Sequence, residues 1–173
     1  MIPKMKKILF TTDLSENARH AFYYASSIAT SCDAGIVLLY VLDEGAGTMQ
    51  QQVKNALGDE QWQRLQEKHQ QTARDVLIGK RTDYTIVREA LGHLCTEARS
   101  EDPACSFEAL ELLVSEGQVV TQILKIAEEK NCDMIVMGAH QGLFHKNRLG
   151  TVAKGVLQRS PVPVLLVPPP KAG

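Results

Sequence analysis

Three features of the sequence predict an α/β fold, an open five-stranded, mainly parallel sheet with helices on both faces. Short runs that are apolar on both sides, such as Ile36–Val41 and Asp133–Met137, suit strands covered by helices above and below. Segments with apolar residues at helical spacing separate those runs, and strand, helix, strand in that order specifies right-handed parallel crossovers. The 173 residues, 44% of them hydrophobic, suffice for one sizeable core, so residues 1–173 are expected to form a single domain.

The first strand holds Ile8-Leu9-Phe10 within Lys7–Thr12 and ends at Asp13 and Ser15, residues that suit a helix N-cap. Ala18, Ala21, Phe22, Ala25, Ile28, Ala29 and Cys32 then recur at helical spacing, and Gly35 is expected to supply the left-handed residue that stops the helix. Ile36–Val41 is the second strand. The long crossover between Leu42 and Ser106 is expected to hold two helices. Asp59 is the N-cap of one, with a stripe of Trp62, Leu65, Thr72, Ala73, Val76 and Leu77; the other carries Val87, Leu91, Leu94, Cys95 and Ala98. Gly79 and the polar run Lys80 to Asp83 read as the turn between them, and Glu101-Asp102-Pro103 as the closing loop. Gly45 and Gly47 near its start suit either a surface excursion or a lid.

Phe107–Ser115 is the third strand, Gly117 the next turn, and Val119, Val120, Ile123, Leu124 and Ala127 one face of the helix that follows. The fourth strand, Asp133–Met137, ends at Gly138. Val152, Ala153, Val156 and Leu157 mark a last helix ended by Ser160-Pro161, before a fifth strand at Val162–Val167 and the extended tail Pro168-Pro169-Pro170.

Nineteen Lys and Arg against twenty Asp and Glu give a net charge of −1, which argues against nucleic acid or anionic lipid as partner. Ile8-Leu9-Phe10 is too short for a signal peptide, and no apolar stretch approaches the roughly 20 residues of a membrane span, so a cytoplasmic protein is expected. Cys32, Cys95, Cys105 and Cys132 include no C-x-x-C pair and no histidine at zinc-ligand spacing; they read as small, buried, reduced thiols, with a thiol sensor at Cys95 and Cys105 as the weaker alternative.

In an open parallel sheet, ligands bind outside the carboxyl ends of the strands. Those ends are Thr11-Thr12-Asp13, Val41-Leu42-Asp43 and Gly138-Ala139-His140-Gln141-Gly142. Gly138 and Gly142 bracket a turn where bare backbone can approach a ligand, and Gly150-Thr151 opens a helix whose unpaired amides favour an anion. His140, Lys146 and Arg148 are further donors. A plain helix cap is the competing reading of Gly150 and Thr151. Asp13 suits either a hydrogen bond to a base amino group or ribose, or the end of the strand and the cap of the helix. Neither a Walker loop nor G-x-G-x-x-G is present, which disfavours P-loop hydrolases and dinucleotide enzymes.

Four blocks together resemble the universal stress protein family: Lys6-Lys7-Ile8-Leu9-Phe10-Thr11-Thr12-Asp13-Leu14-Ser15, Leu38-Leu39-Tyr40-Val41-Leu42-Asp43, Asp133-Met134-Ile135-Val136-Met137-Gly138-Ala139-His140, and Ser160-Pro161-Val162-Pro163-Val164-Leu165-Leu166-Val167. The resemblance implies a three-layer, Rossmann-like sandwich of the adenine nucleotide alpha hydrolase type, with extra helical material at about residues 79–106. It also implies ATP or AMP as ligand, with any magnesium carried by the phosphates. Family members that bind ATP carry G-x2-G-x9-G-[ST] after the fourth strand. Gly138 fits its first position, Gln141 replaces the second glycine, Gly142 stands one place late, and Gly150-Thr151 arrives one residue early. The implied site comprises Thr11, Thr12, Asp13, Val41, Met137, Gly138, His140, Gln141, Gly142, Gly150, Thr151 and Val152. Asp13 and Val41 would flank adenine and ribose, Gly138 and His140 would line the phosphate loop, and Gly150 with Thr151 would hold phosphate oxygens.

A bare strand at Val162–Val167 would be an aggregation hazard; in this family that edge commonly pairs with its mate to form a homodimer, the alternative being a monomer whose Pro168–Gly173 tail shields the edge. The resemblance therefore implies a stress-response module that binds nucleotide and acts through a dimer and a protein partner. The alternatives are the same fold without nucleotide, acting as an interaction protein, and a slow ATPase or autokinase in which His140 or Asp13 positions water. No catalytic residue is assigned, because neither comes with a base and an orienting partner.

Overall fold

The computed structural model describes residues 1–45, 49–72, 79–139 and 149–171. Its strands are β1 (Lys7–Thr12), β2 (Gly35–Leu42), β3 (Glu108–Glu116), β4 (Met134–Gly138) and β5 (Val164–Val167). They form one sheet in the order β3-β2-β1-β4-β5, the open parallel sheet expected, and every neighbouring pair is parallel. The helices are α1 (Glu16–Cys32), α2 (Met49–Leu57), α3 (Asp59–Thr72), α4 (Gly79–Glu101), α5 (Val119–Glu129) and α6 (Thr151–Arg159).

Side-chain alternation along β1 and β2 divides the core into two layers. Ile8, Phe10, Ile36 and Leu38 pack with Phe22, Ala25 and Ala29 of α1 and with Val87, Leu91 and Leu94 of α4. Leu9, Val37 and Leu39 point the other way, onto Val120 and Ile123 of α5 and Ala153 and Val156 of α6. A strand buried on both faces cannot show the polar alternation of a half-exposed one, which is why these runs read as continuously apolar.

Several boundaries differ from the sequence reading. The left-handed residue after α1 is Asp33, at φ 54°, not Gly35. Gly35 instead begins β2, where a Cβ would lie 2.5 Å from Leu110 Cγ, so its missing side chain admits a neighbouring strand. The crossover before β3 holds three helices among the described residues, not two. Gly58, at φ 81°, takes the N-cap position expected of Asp59, its carbonyl accepting from Trp62 N. Lys80 to Asp83 is not a turn but the first part of α4. Ala73, Val76 and Leu77 lie outside the described residues. The third strand is shifted by one residue, and β5 begins at Val164 because the Ser160 hydroxyl engages both the N–H and the carbonyl of Val162. Leu157, expected on the inner face of α6, is exposed, as is Cys32, while Cys95 and Cys132 are buried and all four thiols are free.

One arginine of α4 reaches the outer strand and a second reaches the residue just before it. Arg88 Nε donates to Leu112 O at 3.1 Å, and Arg99 Nη2 donates to Phe107 O at 3.1 Å with its guanidinium carbon 4.7 Å from the centroid of the Phe107 ring. Occupied carbonyls and nearby positive charge make β3 a poor template for another strand. No helix among the described residues is long and apolar enough to cross a membrane.

Candidate functional site: a cleft at the carboxyl ends of the strands

The chain runs outward from β1 through β2 to β3, then returns to add β4 on the other side of β1. Crossovers leaving β1 and β4 therefore diverge to opposite faces, and the gap between them is the place where an open parallel sheet holds a ligand. A cleft of about 310 Å³ lies there. Thr11, Thr12 and Asp13 enter it from the end of β1, Tyr40 and Val41 from β2, Met137, Gly138 and Ala139 from β4, and Gly150, Thr151 and Val152 from the start of α6.

The turn from β1 into α1 is fixed by its own side chains. Leu14 N donates to Thr12 Oγ1 at 2.9 Å, Ser15 N to Asp13 Oδ1 at 3.0 Å, and Ala18 N to Ser15 Oγ at 3.2 Å. These bonds hold Leu14 at φ 64°, a left-handed conformation that a leucine rarely adopts. Asp13 thus closes the turn at the end of the strand, while the cap of the helix itself is Ser15.

The opposite wall is built differently. Gly150 is the N-cap of α6 and offers no side-chain hydrogen bond to the first turn, whereas Ser15 caps α1 and Gln118 caps α5. The first residues of α6 line the cleft, and their leading amides, at the positive end of the helix dipole, have no side-chain acceptor among the described residues. Val41, Val119, Ile123, Met137, Val152 and Ala153 supply apolar surface beside them. Asp13 is the one formally charged residue among the described lining residues.

Nine of the expected positions meet in this cleft: Thr11, Thr12, Asp13, Val41, Met137, Gly138, Gly150, Thr151 and Val152. His140, Gln141 and Gly142, with Lys146 and Arg148, lie outside the described residues. Ser15, Asn17, Tyr40 and Gln52 also line the cleft and were not anticipated. Gly138 has a different reason from the one expected. A Cβ there would stand 3.1 Å from the Asn17 carbonyl oxygen, so the missing side chain admits the backbone of α1.

Burial pushes the Tyr40 phenol up to about 12, and the charge of Asp13 adds to the shift. The unfolded phenol ionises near 10.0, so the native state keeps a proton that the unfolded chain has released. Stability from this group is intact below pH 10 and is lost between pH 10 and about 12. Tyr40→Phe is expected to abolish this component of alkaline destabilisation and the latest-ionising part of the tyrosinate absorbance titration. A wild-type curve with no late component would contradict it.

A family model for the universal stress protein family matches residues 4–168. The chain belongs to the universal stress protein family. Universal stress protein MJ0577 of Methanocaldococcus jannaschii is 28% identical over 163 residues, 94% of each chain. Its solved structure superposes with a TM-score of 0.60 at 26% identity, covering 98% of this chain and 100% of that one. A universal stress protein solved in complex with cAMP gives a TM-score of 0.61 at 19% identity, over 95% of this chain and 98% of the other. The Archaeoglobus fulgidus protein in complex with dAMP gives 0.56 at 21%, over 96% and 99%. The last two likenesses establish a shared fold.

Proposed function

We propose that this universal stress protein binds ATP or AMP in the cleft at the strand ends and presents its nucleotide state to a protein partner in the cytoplasm. The observation that carries the reading is the start of α6, which opens into the cleft with no side-chain cap of its own. A phosphate accepts from such amides and is favoured by the dipole. The apolar surface of Val41, Ile123 and Met137 suits a planar base, with Asp13 and Val41 at the adenine and ribose end. Gly150 and Thr151 hold phosphate oxygens, beside Gly138; His140, Gln141 and Gly142 complete the phosphate loop. Magnesium, where present, is carried by the phosphates. The cAMP and dAMP complexes of proteins with this fold support a mononucleotide of this class.

The dimer in this proposal forms through β5. Val164, Leu165 and Leu166 are only half-buried, and the arginines of α4 disfavour the other edge.

Calorimetric titration of nucleotide-stripped protein with ATP tests the reading. Saturable binding is expected, weakened about tenfold to a hundredfold by Thr151→Ala, the loss of one hydroxyl contact to a charged group. No heat and no thermal stabilisation at millimolar ATP would favour an interaction module without nucleotide, a reading motivated by Gln141 in place of the loop's second glycine and by the early arrival of Gly150-Thr151.

A further inference from the structure

The ladder between β2 and β3 ends at the pair Leu42 and Glu116, where Gly117 N donates to Leu42 O. Beyond it, the peptide groups of Asp43 have no strand to bond among the described residues, and one side chain takes up both. Asp43 N donates to Gln52 Oε1 at 3.2 Å, and Gln52 Nε2 donates to Asp43 O at 2.9 Å. A primary amide carries a donor and an acceptor in one plane, like a peptide, so Gln52 imitates another rung of the sheet. Gln52 belongs to α2, and its side chain also lines the cleft. Its neighbour Val53 is fully buried in the core, while Asp43 Oδ1 accepts from Gly45 N at 3.1 Å and closes the turn on the other side.

We propose that Gln52 is a positioning residue that clasps α2 to the end of β2 and so sets one wall of the cleft. Its effect on ligand rests on the nucleotide-binding reading; the clasp itself does not. Alanine offers neither bond. A glutamate carboxylate keeps the acceptor for Asp43 N, loses the donor to Asp43 O, and adds a negative charge near Asp13 and Asp43.

Amide hydrogen exchange followed by NMR on ligand-free protein, paired with ATP titration, tests both parts. Gln52→Ala is expected to speed exchange at Asp43 and in the first turns of α2 about tenfold or more, leaving β1 and β4 amides protected. ATP affinity should fall about fivefold to tenfold, the loss of two neutral hydrogen bonds that hold the wall. Gln52→Glu should retain part of the Asp43 protection yet bind ATP no better than Gln52→Ala. Wild-type exchange at Asp43 in Gln52→Ala overturns the clasp. Local opening with unchanged ATP affinity overturns its role at the cleft. If the wild-type protein binds no ATP, the nucleotide reading fails and that role with it, while the exchange measurement still decides whether the clasp exists.

Discussion

Gly138→Val is expected to destabilise the fold by about 2–3 kcal/mol and to lower Tm by roughly 5–10 °C, because β4 and α1 touch through backbone at this residue. A Cβ on Gly138 would lie 3.1 Å from Asn17 O, 3.3 Å from Asn17 C and 3.4 Å from Ala18 Cα. None of these is the far end of a flexible side chain. They are main-chain atoms at the start of a helix whose Ala21, Phe22, Ala25 and Ala29 are fully buried against the sheet. Relief therefore requires moving α1 as a body, and the valine γ-carbons extend the collision beyond the Cβ. Urea or thermal unfolding measures the loss. A variant as stable as the parent would mean that α1 sits further from β4 than the structure has it.

The same residue illustrates what the sequence could and could not reveal. Strands β1, β2 and β4 were legible because burial on both faces leaves an unbroken apolar run. The cleft's position was legible too, since an open parallel sheet parts its crossovers at the carboxyl ends of the strands. The reasons for individual glycines were not. Gly35 answers to Leu110 and Gly138 to Asn17, contacts between segments far apart in the chain, and local pattern carries no trace of them. The polar run Lys80 to Asp83 resembled a turn because the first turn of a helix tolerates polar residues, and the buried anchors Ile86 and Val87 come only after it. Gln52 gave no signal at all. Its importance follows from where β2 runs out of partners, a property of the sheet rather than of the helix that carries it.

Gly150→Asp is expected to move stability and nucleotide affinity in opposite directions. Gly150 has φ −58° and ψ 154°, a backbone any residue adopts, and no atom of the described residues lies within 4 Å of a Cβ placed there. An aspartate at this N-cap can accept from the first-turn amides of α6, which is worth about 0.5–1 kcal/mol, or roughly 1–4 °C in Tm. Those same amides are the donors assigned to phosphate. A carboxylate seated on them removes the anion's partners and repels it, an interaction of several kcal/mol at about 4 Å near a protein surface. ATP affinity is therefore expected to fall about a hundredfold or more while thermal unfolding shifts upward. Gly150→Asn separates the two causes, since it caps the helix without charge and should weaken ATP less. Calorimetry and thermal unfolding on all three proteins decide the matter. Unchanged affinity in the stabilised aspartate variant would move the phosphate away from α6 and leave its uncapped amides as a feature of the fold alone.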